Sequence, residues 1–207
     1  MINIIDYEMG NLRSVEKAFE SLGFAVRVSA DPDDIKTADK VVLPGVGAFR
    51  DCIHHLRDGR FVEPLLEHID VGKPMLGICV GMQMLFDVSE EFGQHQGLGV
   101  IPGKVVRFPS GMTEKGERLK VPHMGWNNIA IQQPSPLLKG VEDASYLYFV
   151  HSYYCEAAEY SDIAASCRYG EVEFCASLWR DNVMATQFHP EKSQAVGLNV
   201  FTNFGEL

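Results

Sequence analysis

The chain has 207 residues, of which 46% are hydrophobic and 22% charged, and its formal net charge is −10. This composition predicts a globular protein with one domain over residues 1–207, and the acidic excess argues against nucleic-acid binding, which requires a basic face. No run approaches the ~18 apolar residues of a membrane span, and the N-terminus lacks a signal-peptide pattern, so we expect a cytoplasmic protein without a membrane partner.

Strand and helix patterns alternate through the first half of the chain. Short apolar runs predict strands at residues 2–5, 25–28, 41–43 and 75–79. Helical spacing predicts helices at residues 12–22 and 49–69, the second broken near 58–59, and another helix opening over 81–86. Such alternation is typical of βαβ units, in which sites lie beyond the carboxyl ends of parallel strands.

The second half of the chain has a different pattern. From residue 98 to about residue 178 the segments are short, β-branched or aromatic, and interrupted by Gly, Pro or Asn. We expect antiparallel or mixed additions to the sheet there, then a strand at 183–188 and a closing helix at 193–204. The predicted fold class is therefore α/β, with an open, mostly parallel or mixed central sheet flanked by helices.

The spacing Gly77-x-Cys79-x-Gly81 is the sharpest chemical feature of the sequence. An apolar strand runs directly into Cys79 and a helix follows, which is the cysteine version of a nucleophile elbow. The two glycines leave room for the tight turn, the helix N-terminus favours the thiolate, and the N–H of Val80 faces a developing oxyanion. The alternative is a small buried cysteine between incidental glycines.

The remaining cysteines show no comparable context. The five cysteines are odd in number and match neither a CxxC nor a zinc spacing. We therefore expect no disulfides, no metal and no cofactor.

A base for the cysteine follows the last predicted strand. His189 is placed to reach Cys79, Pro190 restricts the backbone after it, and Glu191 orients the imidazole as the third member of a triad does. His151, at another strand end, is a rival base, although it has only Ser152 beside it.

A glycine-rich loop follows the third strand. Gly45, Val46 and Gly47 present backbone N–H groups, which suit either a second oxyanion donor or a phosphate. The two common phosphate-loop patterns are absent.

Three separated motifs resemble those of class I (triad type) glutamine amidotransferases. They are PGVGAF at 44–49, GICVGMQ at 77–83 and FHPE at 188–191. The resemblance implies a flavodoxin-like core, with Cys79 as nucleophile, His189 as acid–base and Glu191 as its orienting partner. It also implies that Gly45, Val46 and Gly47 flank the oxyanion and that Gln83 holds the glutamine substrate.

Further segments resemble, within that class, the glutaminase subunits of imidazole glycerol phosphate synthase. They are the motifs DYxMGN at 6–11, PHMGWN at 122–127 and FVHSYY at 149–154. The resemblance implies that ammonia passes to a (β/α)8-barrel cyclase, which makes imidazole glycerol phosphate and aminoimidazole carboxamide ribotide in histidine biosynthesis. It implies that four residues approach the α-amino and α-carboxylate groups of glutamine: Glu91, His151, Ser152 and Tyr153. It places five at the partner interface: Asn11, His123, Met124, Trp126 and Lys192.

Some alternatives remain open from the sequence. Trp126 is by itself more typical of a core aromatic. Glu8 stands where this family usually has glycine, which puts the conformation of the first loop in doubt. A free-standing cysteine hydrolase and a non-enzymatic binding module are the competing functions.

Overall fold

The computed structural model describes residues 1–114 and 116–207. The helices are α1 (Leu12–Ser21), α2 (Asp33–Thr37), α3 (Phe49–Asp58), α4 (Val62–Asp70), α5 (Val80–Gln83) and α6 (Gln194–Glu206). The strands are β1 (Ile2–Ile5), β2 (Val26–Ser29), β3 (Lys40–Gly45), β4 (Met75–Cys79), β5 (Phe86–Ser89), β6 (His95–Gln96), β7 (Ile101–Arg107), β8 (Thr113–Glu114), β9 (Glu117–Arg118), β10 (His123–Ile131), β11 (Tyr146–His151), β12 (Tyr153–Ala157), β13 (Ile163–Tyr169), β14 (Val172–Arg180) and β15 (Val183–Thr186).

A nine-stranded central sheet organises the molecule. Its strand order is β11-β10-β13-β14-β15-β4-β3-β1-β2. The five strands from β15 to β2 run parallel, whereas those from β11 to β15 pair antiparallel. The mixed α/β sheet predicted from the sequence is confirmed, and the second-half segments are its antiparallel additions. The loops after β3, β4 and β15 meet at one edge of this sheet, because those strands are parallel neighbours.

A second sheet corrects the expectation for residues 81–86. Helix α5 ends at Gln83, and Phe86 begins strand β5, which pairs with β7 in a sheet of order β12-β7-β5-β6. A short apolar run reads equally well as buried helix or buried strand, and here the long-range pairing decides.

Smaller differences concern element ends. Helix α2 lies in a segment without a predicted element, and strand β3 continues through Pro44 to Gly45. The predicted break near residues 58–59 is confirmed, because α3 and α4 are separate helices. The last strand ends at Thr186, two residues earlier than predicted.

Aromatic packing fixes the closing helix against the first one. The ring centroid of Phe19 in α1 lies 4.3 Å from that of Phe201 and 6.2 Å from that of Phe204, both in α6. Each of these fully buried side chains contributes about 1.5–3 kcal/mol relative to exposure. Because α6 begins at Gln194, this packing also anchors the loop that carries His189. Among residues 1–114 and 116–207, none of the helices has the length and hydrophobicity of a transmembrane span.

Candidate active site

Cys79 stands at the junction of β4 and α5 in a strained backbone conformation. Its φ is 56° and its ψ is −110°, a region that non-glycine residues rarely adopt. A Cβ on Gly81 would lie 1.9 Å from the carbonyl oxygen of Leu43, and one on Gly77 would lie 2.9 Å from the carbonyl oxygen of Gly81. Neither position therefore has room for a Cβ, so both must be glycine. The turn has the geometry of a nucleophile elbow.

Helix α5 is shorter than the sequence predicts. It contains four residues, Val80–Gln83, so its macrodipole, which sums over aligned peptides, is small. The N–H of Val80 at the first helical position has no intrahelical acceptor, which leaves it free for an anion. The thiolate stabilisation that we expected from the helix is thus weak, and another donor meets the sulfur: Nε2 of Gln187, 3.7 Å from Sγ of Cys79.

His189 and Glu191 form a buried pair beyond the end of β15. Nδ1 of His189 lies 2.8 Å from Oε1 of Glu191, and the two side chains are 2% and 0% exposed. Because the carboxylate can only accept, this contact implies that Nδ1 is protonated and donates to Glu191. Nε2 has no hydrogen-bond partner among the described residues, so it is free for proton transfer.

Charge on both sides of the imidazole sets its protonation. Burial by itself would lower the pKa of His189, but the sulfur charge of Cys79 and the carboxylate of Glu191 outweigh it and raise the pKa to about 10. Burial likewise opposes ionisation of Glu191, yet its contact with His189 holds the pKa of the carboxyl below its usual value. The arrangement therefore favours a protonated imidazole beside Cys79, which suits a cysteine that reacts as a nucleophile.

Ser193 fixes the loop that carries His189. Its hydroxyl donates to the carbonyl of His189 at 2.7 Å and accepts from the N–H of Tyr148 at 3.0 Å. The N–H of His189 in turn donates to the carbonyl of Tyr148 at 2.9 Å. Strand β11 therefore holds the base in place from behind.

A cavity of about 380 Å³ opens over the sulfur. It is lined by Val46, Gly47, Cys79, Val80, Gln83, Glu91, Pro122, Val150, His151, Ser152, Tyr153, His189 and Lys192. All the residues expected around substrate and oxyanion are among them except Gly45. Lys192, expected at a partner interface, also lines this cavity, and its Nζ lies 5.7 Å from the ring centroid of Tyr148.

The glycine-rich loop is held from beneath by two buried side chains. The hydroxyl of Tyr7 donates to the carbonyl of Pro44 at 2.6 Å, and Sγ of Cys52 donates to the carbonyl of Val46 at 3.3 Å. Because a trans peptide sets its N–H opposite its C=O, the N–H of Gly47 points away from Cys52.

Glu91 connects the cavity wall to the helix that follows this loop. Its Oε2 accepts the backbone N–H of Phe49, the first residue of α3, at 2.6 Å. Burial raises the pKa of Glu91, and this hydrogen bond opposes the shift. The carboxylate therefore lies between the substrate cavity and the end of the loop at 45–47.

His123 and His151, which pack against Phe149, have tautomers fixed by their hydrogen bonds. Nδ1 of His151 donates to the carbonyl of Tyr153 at 2.8 Å, which leaves Nε2 to accept from Nδ1 of His123 at 3.0 Å. Burial lowers the pKa of His151 to about 3 and that of His123 to about 4. Both nitrogens of His151 are engaged, so this ring is not free to act as the base for Cys79.

The residues expected at a partner interface have different surroundings. Met124 and Trp126 are 62% and 45% exposed, which excludes the core-aromatic alternative for Trp126. His123 is only 3% exposed, so its side chain is not presented at the surface. Asn11 is half-buried, and its Nδ2 donates to Glu191.

Glu8 has the backbone conformation for which glycine is suited. Its φ is 70°, in the left-handed region, and its carboxylate lies 3.3 Å from Nδ1 of His55. Glu8 therefore replaces the family's usual glycine at a position where a residue with a Cβ is strained.

Two completely buried polar residues, Gln187 and Ser193, support the site although the sequence predicted no role for either. The available signal for Gln187 was a polar side chain near the end of the predicted strand 183–188. Within the described residues, no group of three or more His, Cys, Asp and Glu could hold a metal ion.

Comparison with known proteins identifies the family of the chain. The family model "Glutamine amidotransferase class-I" matches residues 3–205. The chain is 61% identical over 207 residues to "Imidazole glycerol phosphate synthase subunit HisH" of Syntrophotalea carbinolica, covering 100% of both chains. It is 62% identical over 206 residues to the protein of the same name from Geobacter sulfurreducens, covering 100% of this chain and 98% of that protein.

The fold also occurs in solved structures. One titled "Structure of PurLQS from Thermotoga maritima" aligns with a TM-score of 0.76 at 17% identity, covering 98% of this chain and 96% of that chain. At this identity the likeness concerns the fold alone.

Proposed function

The chain belongs to the class-I glutamine amidotransferase family, and we propose that Cys79, His189 and Glu191 are the residues with which it hydrolyses glutamine. Its full-length identities of 61% and 62% with subunits of imidazole glycerol phosphate synthase assign it to that synthase, in histidine biosynthesis. We propose one amidotransferase domain over residues 1–207 and a cytoplasmic location.

The observation that carries the proposed roles is the buried pair of His189 and Glu191, with Nε2 of the histidine left free beside Cys79. A cysteine nucleophile requires a base oriented by a third group, and this geometry supplies one. The adjoining cavity of about 380 Å³ has room for an amino acid, and Glu91 on its wall offers a carboxylate for an α-ammonium group.

In the first half-reaction the thiolate of Cys79 attacks the side-chain amide carbon of glutamine. The oxyanion forms next to the N–H of Val80, and loss of one such donor typically slows catalysis about 10²–10³-fold. Nε2 of His189 then gives its proton to the amide nitrogen, the C–N bond breaks, and ammonia leaves. A γ-glutamyl thioester remains on Cys79.

The second half-reaction restores the enzyme. The neutral Nε2 of His189 accepts a proton from water while the water oxygen attacks the thioester carbon. The C–S bond breaks, glutamate is released, and the thiolate and imidazolium are regenerated. Glu191 stays ionised throughout and stabilises the imidazolium.

A partner subunit receives the ammonia in this proposal. We propose a (β/α)8-barrel cyclase, with Met124 and Trp126 among the residues that contact it, because both are large apolar side chains exposed on β10. We propose that the partner activates the enzyme through the loop at 45–47. Cys52 holds the Val46 carbonyl, and rotation of that peptide would turn the N–H of Gly47 to a different direction, as a switchable oxyanion donor requires.

The test is a glutamate-release assay on the purified chain, alone and with its cyclase subunit plus a nucleotide substrate analogue. We expect slow turnover alone, acceleration in the complex, and no turnover by the Cys79→Ala complex. Equal rates with and without the partner would favour a free-standing hydrolase. Turnover by Cys79→Ala would rule out the proposed nucleophile.

A further inference from the structure

Gln187 is the one side-chain amide within hydrogen-bonding distance of the Cys79 sulfur among the described residues. Its Nε2 lies 3.7 Å from Sγ, inside the distance that a sulfur acceptor allows. The side chain is completely buried and does not line the substrate cavity. It therefore approaches the nucleophile from behind, on the side away from substrate.

The orientation of this amide follows from its neighbours. Nε2 of Gln83 lies 3.1 Å from the carbonyl of Tyr153, which can only accept, so the amide of Gln83 must present its nitrogen there. The same nitrogen lies 3.0 Å from Oε1 of Gln187. Gln187 thus has its oxygen facing Gln83 and its N–H group facing the sulfur. A flip of its amide would oppose two N–H donors at Gln83 and would set its oxygen against the sulfur, with no proton between them.

We propose, building on the function above, that Gln187 is a further catalytic residue, whose amide N–H stabilises the Cys79 thiolate. A hydrogen bond to a charged acceptor in a water-excluded site is stronger than a neutral one. This donor takes over the role that the one-turn helix α5 is too short to fill. Gln83 connects this hydrogen-bond network to the wall of the substrate cavity, because its amide also donates to the carbonyl of Tyr153.

Several ionisable groups also lie near the Cys79 sulfur, and a substitution of Gln187 leaves them in place. Those close enough to interact with the sulfur charge include Tyr7, Cys52, Cys155 and His189. None of them is changed by substitution of Gln187, so a shift in sulfur reactivity would report on the amide.

The test measures alkylation of Cys79 by iodoacetamide against pH, with peptide-resolved mass spectrometry to separate this cysteine from the other four. Gln187→Met keeps the length and removes the donor, while Gln83 retains its bond to Tyr153. Gln187→Glu keeps the acceptor for Gln83 and turns a carboxyl oxygen towards the sulfur. Ser177→Ala is the matched control, since it removes one buried hydrogen bond, to Ala185, without facing Cys79.

We expect the midpoint pH of alkylation to rise by about one unit in Gln187→Met, a roughly tenfold loss of thiolate below the midpoint, and further in Gln187→Glu. Ser177→Ala should match the wild type. An unchanged midpoint in both Gln187 variants, with an intact melting transition, would overturn the proposal, as would an equal shift in Ser177→Ala. Alkylation needs no glutamine, so absence of glutaminase activity in the wild type would count against the proposed function alone.

Discussion

Asn11 donates a hydrogen bond from Nδ2 to Oε1 of Glu191 at 3.3 Å, and this is the same oxygen that faces Nδ1 of His189. The loop after β1 is therefore connected directly to the orienting carboxylate of the active site. A residue that the sequence suggested for the partner interface is also a neighbour of the triad, so changes in this loop can reach the base.

Asn11→Ala should lower kcat of the assembled complex about tenfold, because the Glu191 carboxylate loses a side-chain donor and orients the imidazole less firmly. KM for glutamine should change little, since Asn11 does not line the cavity. Steady-state glutamate release measures both. The control is Asn203→Ala, which removes amide hydrogen bonds to the carbonyls of Leu137 and Lys139, none of which lines the cavity. Unchanged kcat in Asn11→Ala would show that the contact does not support the triad.

Glu8→Gly should stabilise the protein by about 0.5–1 kcal/mol. The left-handed φ of 70° strains a residue with a Cβ, and glycine relieves that strain, while the exposed contact with His55 contributes little. Urea unfolding monitored by circular dichroism gives the free energy. Glu8→Ala serves as the control because it removes the carboxylate and keeps the Cβ. If alanine stabilised as much as glycine, the effect would come from charge and not from backbone strain.

Acid should destabilise the fold between about pH 6.5 and pH 4 through His123 and His151. Burial lowers the pKa of both in the folded state, to about 4 and about 3, whereas the unfolded chain binds these protons near pH 6.5. The unfolded state therefore holds more protons in this window, and stability falls as pH falls. Calorimetry from pH 6.5 to pH 4.5 should give a Tm that declines by several degrees as the pH falls.

A single substitution tests that assignment. His123 stacks on Phe149 with ring centroids 5.0 Å apart, so His123→Phe preserves aromatic packing while removing one titrating group. The decline of Tm with pH should become shallower, whatever the change in absolute stability. The control is His54→Gln, on an exposed side chain, which should leave the slope as it is. An equally steep decline in His123→Phe would assign the acid sensitivity to other groups.

The parts of the site that follow from local sterics could be predicted from the sequence. Gly77 and Gly81 predicted a tight turn at Cys79 because only glycine avoids the backbone contacts there, and the structure has that turn. The strand positions before Cys79 and His189 placed both side chains at one sheet edge, since β4 and β15 are parallel neighbours.

Other features depend on long-range contacts that the sequence does not reveal. Residues 86–89 form a strand because β6 and β7 pair with them on either side. The burial of His123 follows from the aromatic rings that surround it, and neither its motif nor its spacing indicates this. Gln187 was overlooked because its partners, Cys79 and Gln83, lie more than 100 positions away in the chain.

The proposed chemistry depends on attack of Cys79 on glutamine. The most direct measurement incubates the chain, in complex with its cyclase partner, with an electrophilic diazo-ketone analogue of glutamine and locates the added mass by peptide mass spectrometry. We expect stoichiometric labelling of Cys79, protection by excess glutamine, and no label in Cys79→Ala. Label on another of the five cysteines, or none on Cys79 in a complex that still releases glutamate, would contradict it.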